Sequence, residues 1–212
     1  MPPHPPVQPS PLPAAAHEVL DFWFGDGWTL GWPSQSRSAL WFGGGKALDA
    51  EIAQRFGALV AQALAGGLRG WEQGPACLLA LVIVLDQFPR NVHRGRAQAF
   101  AGDTRAQRLA QDARARGWDA QLPLAGRIFL YMPLMHAEDL TLQEQCVRCF
   151  EALLASAPPQ RRQDLQGNLD YARKHRDIIV RYGRFPYRNQ VLGRADTPAE
   201  LEFLRDGPRF GQ

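Results

Sequence analysis

The apolar segment from Pro75 to Phe88 constrains the fold of this chain more than any other stretch of its sequence. Its valine and isoleucine content is compatible with a buried strand, so its apolar character alone does not identify it. A proline at the expected first turn and more than a dozen residues without a break favour a buried helix. We expect Pro89 to end this helix, because proline lacks the backbone N–H that an interior helical position donates.

Helical periodicity also dominates the rest of the chain. Apolar residues recur at steps of three and four from Lys46 until Gly66 and Gly67, which is the spacing of an amphipathic helix. Similar patterns predict helices over residues 14–24, 104–116, 122–132, 140–154, 160–182 and 197–205, and a loop over residues 25–31. No run of alternating strands is present and the connections are short, which predicts an all-α fold of antiparallel helix hairpins.

The domain organisation follows from length and proline content. A chain of 212 residues permits one domain or two small ones. Residues 1–13 are so rich in proline that neither helix nor sheet can form there, and we expect a disordered leader. We expect residues 14–212 to form a single helical domain.

Composition excludes several classes of protein. The longest aliphatic stretch is too short to span a membrane, and no charged and apolar leader precedes Ala14, so we expect a soluble protein that is not secreted. The three cysteines, an odd number, favour reduced thiols in the cytoplasm. The net charge of +3 comes almost entirely from arginine, and acidic residues are interspersed with it, so neither a membrane nor a nucleic acid is the expected partner.

Two short motifs lack the context of the chemistry they suggest. The segment from Gly43 to Lys46 has neither the second glycine, the following Ser or Thr, nor the preceding strand of a phosphate-binding loop. Cys146 and Cys149 lie in a helical pattern without a second pair of ligands, as is typical of ordinary helix cysteines. No spacing enforces a metal site either, so we expect no metal and no cofactor, although ligands could come from His136, Glu138, Asp139 and His175.

The first of three polar clusters follows the apolar helix and contains Asp86, Gln87, Arg90 and Arg94. A carboxylate near a helix C-terminus opposes the helix dipole, so Asp86 needs a cationic partner. Arg90 and Arg94 are the nearest candidates. These residues form either a ligand-binding group or a structural ion pair that closes the helix.

The second cluster contains His136, Glu138 and Asp139 and precedes the helix that begins near Leu140. Adjacent carboxylates at a helix N-terminus are expected from capping and the helix dipole alone. His136 is not explained in that way. The group therefore either caps the helix or presents an acid or base to a cleft.

The third cluster begins on the predicted helix 160–182. Helical projection places Asn168 and His175 on the face that Leu165, Leu169, Ala172 and Ile179 mark as buried, where polar groups need partners. The helix leads directly into Arg184, Arg188 and Asn189. The two guanidinium groups are suited to clamping a carboxylate or a phosphate.

Several separate motifs occur together between Glu18 and Phe203. They are Val19 to Gly25, Leu85 to Asn91, Arg94 with Gly95, Ala99 and Phe100 with Asp103, Tyr131 to Leu134, His136 with Glu138 to Leu140, His175, Arg181, Gly183 to Pro186, Arg188 with Asn189, and Leu192 to Arg194. In this combination the chain resembles a bacterial family catalogued as domain of unknown function 924. The resemblance implies a helical fold of the tetratricopeptide type and implies that the three clusters share one site.

The chain departs from that family at three positions. It has Met135 where the family has Glu, Ala137 where the family has Ser, and Tyr187 where the family has His. The residue expected to cap the helix at 140 is therefore missing. The resemblance brings no activity with it.

Two functions of different classes follow from these observations. In the first, the arginines bind a small anionic ligand in a cleft lined by arginine, histidine and carboxylate, and His136 or His175 moves a proton. In the second, stacked helices form a scaffold for a peptide or partner protein, recognised through Trp28, Trp32, Trp41 or Trp71. RNA binding through residues 173–194 is a third, weaker alternative. The sequence leaves open whether the protein is an enzyme.

Overall fold

Residues 12–208 are described by a computed structural model, and they contain ten α-helices and no β-strand. The all-α prediction is confirmed. The helices are α1 Ala14–Phe24, α2 Gly27–Leu30, α3 Lys46–Leu64, α4 Pro75–Val82, α5 Phe88–Val92, α6 Asp103–Ala115, α7 Leu124–Met135, α8 Leu140–Ala155, α9 Arg162–Tyr182 and α10 Pro198–Asp206. The predicted leader falls almost entirely on residues 1–11, which lie outside the described residues, as do residues 209–212.

The core is built around the predicted apolar helix. Helix α4, the wide helical turn Ile83–Gln87 and α5 follow one another without a break from Pro75 to Val92. Helices α1, α6 and α7 pack against α4, and α3 packs against α5. This run is the one stretch of residues 12–208 that is long and apolar enough to cross a membrane, but 67% of it is buried inside the fold, as in a core helix.

The prediction that Pro89 ends this helix was wrong, because a wide turn accommodates the proline. In this turn the Phe88 N–H donates to the carbonyl of Ile83, five residues earlier instead of four. Pro89 has no N–H to offer the Leu85 carbonyl, so the wider turn occurs where the regular hydrogen-bond pattern is already broken. Pro133 also lies inside a helix, in the last turn of α7, although we expected the helix to end before it.

The predicted loop over residues 25–31 was wrong in its middle part. Gly27–Leu30 forms one helical turn, α2, which Gly31 ends in the left-handed conformation at a φ of 86°. Trp28 holds this turn on the core through its contact with Phe24, with ring centroids 5.9 Å apart. Local composition indicated a loop, but packing against α1 stabilises a helical turn instead.

Consecutive helices at the C-terminal side pack as pairs. Helix α6 contacts α7, α7 contacts α8, and α8 contacts α9, as expected of helix hairpins with short connections. The predicted buried face of α9 is confirmed at Leu165, Leu169, Ala172, His175 and Ile179, whereas Asn168 is only half-buried. The tetratricopeptide-type stacking of these pairs stays a prediction.

Gly102 lets the segment before α6 approach the wide turn closely. A Cβ built on Gly102 would lie 2.1 Å from the backbone oxygen of Leu85, which is far inside van der Waals contact. The residues on either side of this contact, Asp86 and Asp103, are both buried. The glycine therefore sets how closely two charged side chains of different helices approach each other.

We expect Gly102→Ala to lower the free energy of unfolding by about 1–3 kcal/mol, because neither backbone can move away without disturbing buried contacts. Gly167→Ala is the matched control. Gly167 lies inside α9 with open space around it, so alanine there should stabilise the protein by up to about 1 kcal/mol. Urea denaturation of both variants measures the difference, and equal stabilities would contradict the close approach.

Candidate functional site

Asp86 is the centre of a buried group of charged side chains that we call the charge cluster, formed by Asp86, Arg90, Asp103, His136 and Arg188. Asp86 lies in the wide turn and has no exposed surface. Its Oδ1 contacts Nδ1 of His136 at 2.7 Å and accepts from Nη2 of Arg90 at 3.3 Å. The Gln87 amide donates to its other oxygen, Oδ2. The carboxylate is therefore fully buried and fully hydrogen-bonded.

Asp103 at the start of α6 connects the two arginines of the charge cluster. Its Oδ1 accepts from Nη2 of Arg90 at 2.9 Å, and its Oδ2 accepts from Nη1 of Arg188 at 3.3 Å. The Arg188 guanidinium lies over the rings of Phe100 at 4.5 Å and Phe185 at 4.6 Å. Burial raises the pKa of Asp103 above its ordinary value, and the two guanidinium groups oppose that rise.

His136 forms an oriented pair with Asp86. Burial alone would raise the pKa of Asp86, but His136 and Arg90 hold it well below its usual range, so the carboxylate is ionised and accepts the hydrogen bond. Burial and Arg90 lower the pKa of His136, and Asp86 offsets them only in part. A neutral His136 must then carry its proton on Nδ1. Its Nε2 is an acceptor, and no residue between 12 and 208 donates to it.

His175 lies beside His136, with the two ring centroids 6.3 Å apart. Its Nδ1 is 2.8 Å from the carbonyl oxygen of Tyr171, one turn earlier on α9, and its ring packs edge-on against Phe185. Burial lowers the pKa of His175 to about 3. The ring is therefore neutral at physiological pH, and the N–H at Nδ1 donates a hydrogen bond to the carbonyl of Tyr171.

The other predicted site residues bond outside the charge cluster. Arg94 pairs with Asp49, Glu138 with Arg194, and Arg184 with Glu200. Asn189 donates to Asp196 at 2.6 Å. Glu138 also accepts from the backbone N–H of Phe185, so these contacts hold the segment after α9 against the end of α7.

The capping alternative for the second cluster is confirmed at Asp139, while the Ser that the family has at position 137 is replaced by Ala137. Asp139 is the N-terminal cap of α8, and its carboxylate accepts from the backbone N–H of Leu142 at 2.9 Å. Asp139 and Glu138 thus bond to the backbone and to Arg194. Within the described part of the chain no three His, Cys, Asp or Glu side chains are grouped to hold a metal ion.

A small pocket adjoins the charge cluster. Its volume is about 50 Å³, and its wall is formed by Arg90, Arg94, Gly95, Arg96, Ala99, Phe100, Tyr187 and Val191. Arg90 belongs both to the pocket and to the charge cluster. Its Nε and Nη1 are buried without a hydrogen-bond partner among residues 12–208, as is Nε of Arg188. Arg96 is exposed and makes no side-chain hydrogen bond or ion pair within the same residues.

The structure thus brings together residues from all three predicted clusters. Asp86, Arg90, His136 and Arg188 share the charge cluster, with Gln87 and His175 beside them. Sequence reasoning did not assign Asp103 to the site, because an acidic residue at a helix N-terminus is explained by the helix dipole alone. It also missed Arg96, whose position beside Arg94 and Gly95 was the available signal.

Comparisons with known proteins agree with this description of the fold. Residues 19–208 match the model of a family described as bacterial protein of unknown function (DUF924). The chain is also similar to a solved structure, the protein of unknown function ATU0120 from Agrobacterium tumefaciens. The two share 35% sequence identity with a TM-score of 0.75, over 92% of this chain and 98% of the other. No curated protein matches the chain.

The low pKa of His175 predicts a pH dependence of stability. The unfolded chain binds a proton near the ordinary pKa of 6.5, and the folded chain resists it until about pH 3, so stability is complete above pH 6.5 and is lost as the pH falls. Between pH 7 and pH 5 this loss amounts to about 2 kcal/mol.

We therefore expect His175→Asn to lose about 2 kcal/mol less than the unchanged protein over that pH range, measured by urea denaturation at each pH. His17→Asn is the matched control, because His17 lies on the surface of α1 with 60% of its side chain exposed. If both variants follow the pH dependence of the unchanged protein, His175 is not held neutral by burial.

Proposed function

Because the chain belongs to the DUF924 family of bacterial proteins, whose description assigns no activity, we propose its function from the site alone: it binds a small anionic ligand at the pocket of Arg90, Arg94 and Arg96. The observation that carries this proposal is the state of Arg90. Two of its three guanidinium nitrogens are buried and without a partner among the described residues, beside a pocket whose wall holds two further arginines.

Unsatisfied buried donors are costly, and native proteins leave few of them. A ligand oxygen that accepts from Nε and Nη1 of Arg90 would remove that cost. Arginine presents these two donors in a planar fork that matches the two oxygens of a carboxylate or a phosphate. The donor set thus favours an oxyanion over a neutral ligand.

The size of the pocket limits what enters it. A volume of about 50 Å³ holds a few water molecules, which is the size of one carboxylate, phosphate or sulfate group. Phe100, Tyr187 and Val191 supply apolar wall around that group. We infer that the ligand is either a small oxyanion or the anionic end of a larger molecule whose remainder lies outside the pocket.

The proposal also includes acid/base chemistry at His136. His136 has the features of a general base, because Asp86 orients its ring and leaves Nε2 as an acceptor. It does not itself line the pocket, and Asp86 lies between it and Arg90. Whether the protein is an enzyme therefore depends on whether a bound ligand reaches from Arg90 to Nε2 of His136.

A scaffold for a peptide or partner protein is the second candidate, and one observation favours it. An open groove of about 370 Å³ is lined by Leu30, Trp32, Leu124 and Arg161, among others, and Leu30 is 66% exposed. The other tryptophans weaken this candidate. Recognition of a partner through Trp71 would require it to be exposed, but it is buried, and Trp28 and Trp41 are half-buried against the core.

We propose a cytoplasmic location for this activity. The three cysteines are all free thiols in the structure, which supports a reducing compartment. Membranes and nucleic acids are not among the proposed partners. Most arginines of residues 173–194 face acidic partners, as Arg173, Arg176, Arg184 and Arg194 do, so they offer little charge to RNA.

Isothermal titration with sulfate, phosphate and acetate tests the proposal. We expect binding by the unchanged protein and about tenfold weaker binding by Arg96→Gln, because a charged hydrogen bond is worth about 1.5 kcal/mol or more. Arg96 makes no side-chain bond within residues 12–208, so this variant should keep its fold.

Arg162→Gln is the matched control, an exposed arginine on α9 outside the pocket. It should bind the anions as the unchanged protein does. Equal affinities of the two variants, or no binding of any of the three anions, would contradict the proposed site.

A further inference from the structure

We propose that an oxyanion entering the Arg90 pocket brings a proton with it, which His136 takes up on Nε2. The proposal rests on the function proposed above and specifies the kind of binding. In this proposal the charge cluster couples two events: binding of the oxyanion at Arg90, on one side of Asp86, stabilises the protonated form of His136 on the other side.

The geometry of one oxygen atom carries this coupling. Oδ1 of Asp86 is within hydrogen-bond distance of Nη2 of Arg90, at 3.3 Å, and of Nδ1 of His136, at 2.7 Å. Asp86 and Nη2 of Arg90 therefore connect His136 to Arg90, a residue of the pocket wall. The remaining nitrogens of Arg90, Nε and Nη1, are the ones left without a partner in the described chain.

The balance of charge gives the direction of the coupling. Arg90 and Arg188 carry two positive charges, Asp86 and Asp103 carry two negative charges, and the neutral histidines add none. A bound anion meets the exposed charge of Arg96 at the pocket, but it would leave the buried cluster itself with an excess of negative charge, which is unfavourable at low dielectric. Protonation of His136 restores the balance without moving any element of the fold.

Every charged group that faces His136 enters this argument. The run from Pro75 to Val92 contributes Asp86 and Arg90, α6 contributes Asp103, and α9 contributes His175, on which Arg188 of the turn Pro186–Arg188 acts in turn. Of these effects, burial and Arg90 lower the pKa of His136 and so favour its neutral form. An anion that engages Arg90 weakens that effect and adds its own attraction for the proton.

His136 is a better proton acceptor than His175. Nδ1 of His175 faces a backbone carbonyl, which offers no negative charge to an imidazolium, whereas Nδ1 of His136 faces a carboxylate. His175 is also nearly completely buried, at 4% exposure, while His136 keeps 15% of its side chain accessible to water. The proton can therefore come directly from solvent to Nε2 of His136.

The sign of the pH dependence follows. The pKa of His136 is higher in the complex than in the free protein, so binding is tightest below the free-state pKa and weakens as the pH rises through the complex pKa. An anion bound at Arg90 should raise the pKa of His136 by about one unit. Sulfate affinity should therefore increase about tenfold in total as the pH falls through the pKa of the complex and then that of the free protein, with about half a proton taken up per sulfate midway between the two.

Calorimetric sulfate titrations between pH 5 and pH 8, each in two buffers of different ionisation enthalpy, measure the sulfate affinity and the number of protons taken up per sulfate. Sulfate is the probe because it does not itself titrate in this range. His136→Asn keeps a side-chain N–H for Asp86 and lacks Nε2, so it should bind sulfate without proton uptake and without the pH dependence. His93→Asn is the matched control, since His93 precedes Arg94 of the pocket wall, and it should keep the proton uptake.

The outcomes separate the two proposals. Sulfate binding without proton uptake in the unchanged protein overturns the coupling and leaves the binding site intact. The absence of sulfate binding overturns the coupling, and it overturns the binding site as well if phosphate and acetate also fail to bind. Proton uptake that persists in His136→Asn, or that disappears in His93→Asn, overturns the assignment to His136. If His136→Asn does not fold, the NMR titration of the His136 ring in the unchanged protein, with and without sulfate, decides the question by whether its pKa rises.

Discussion

A carboxylate with no access to water must be neutralised by its surroundings, and Asp86 imposes this requirement on much of the molecule. The wide turn places Asp86 between the helices, Arg90 supplies the first cation from one turn further along, and His136 arrives from the end of α7. Because Arg90 is shared with a second buried carboxylate, Asp103, a further cation is needed, and Arg188 provides it. The position of the C-terminal segment is thus linked to a charge near the middle of the chain.

Much of the fold is readable from the sequence because apolar periodicity is a local signal. The buried face of α9 and the capping box of α10 at Thr197 follow from side-chain spacing alone. The errors at Pro89 and Pro133 have another origin. A proline removes one helical hydrogen bond, but whether the helix ends depends on the packing of the turn, which residues distant in sequence determine.

The candidate site, like the fold, could be predicted from the sequence only in part. Residue type identified Asp86, Arg90, His136 and Arg188, since buried charges and histidines of this kind need partners. Residue type does not say which partner each side chain takes. Arg94, Arg184 and Glu138 have the same chemistry as the cluster residues, yet they bond to Asp49, Glu200 and Arg194. These partners lie far apart in the sequence, so local sequence patterns do not determine which side chains pair.

The bond between Asp103 and Arg188 joins residues that are 85 positions apart. During synthesis the chain therefore presents Asp86 and Asp103 with only one of the two arginines that neutralise them, until Arg188 has been made. A chain that stops before Arg188 has an unbalanced buried charge. The charge cluster is therefore completed only by the segment that follows α9, long after the helices around it have been synthesised.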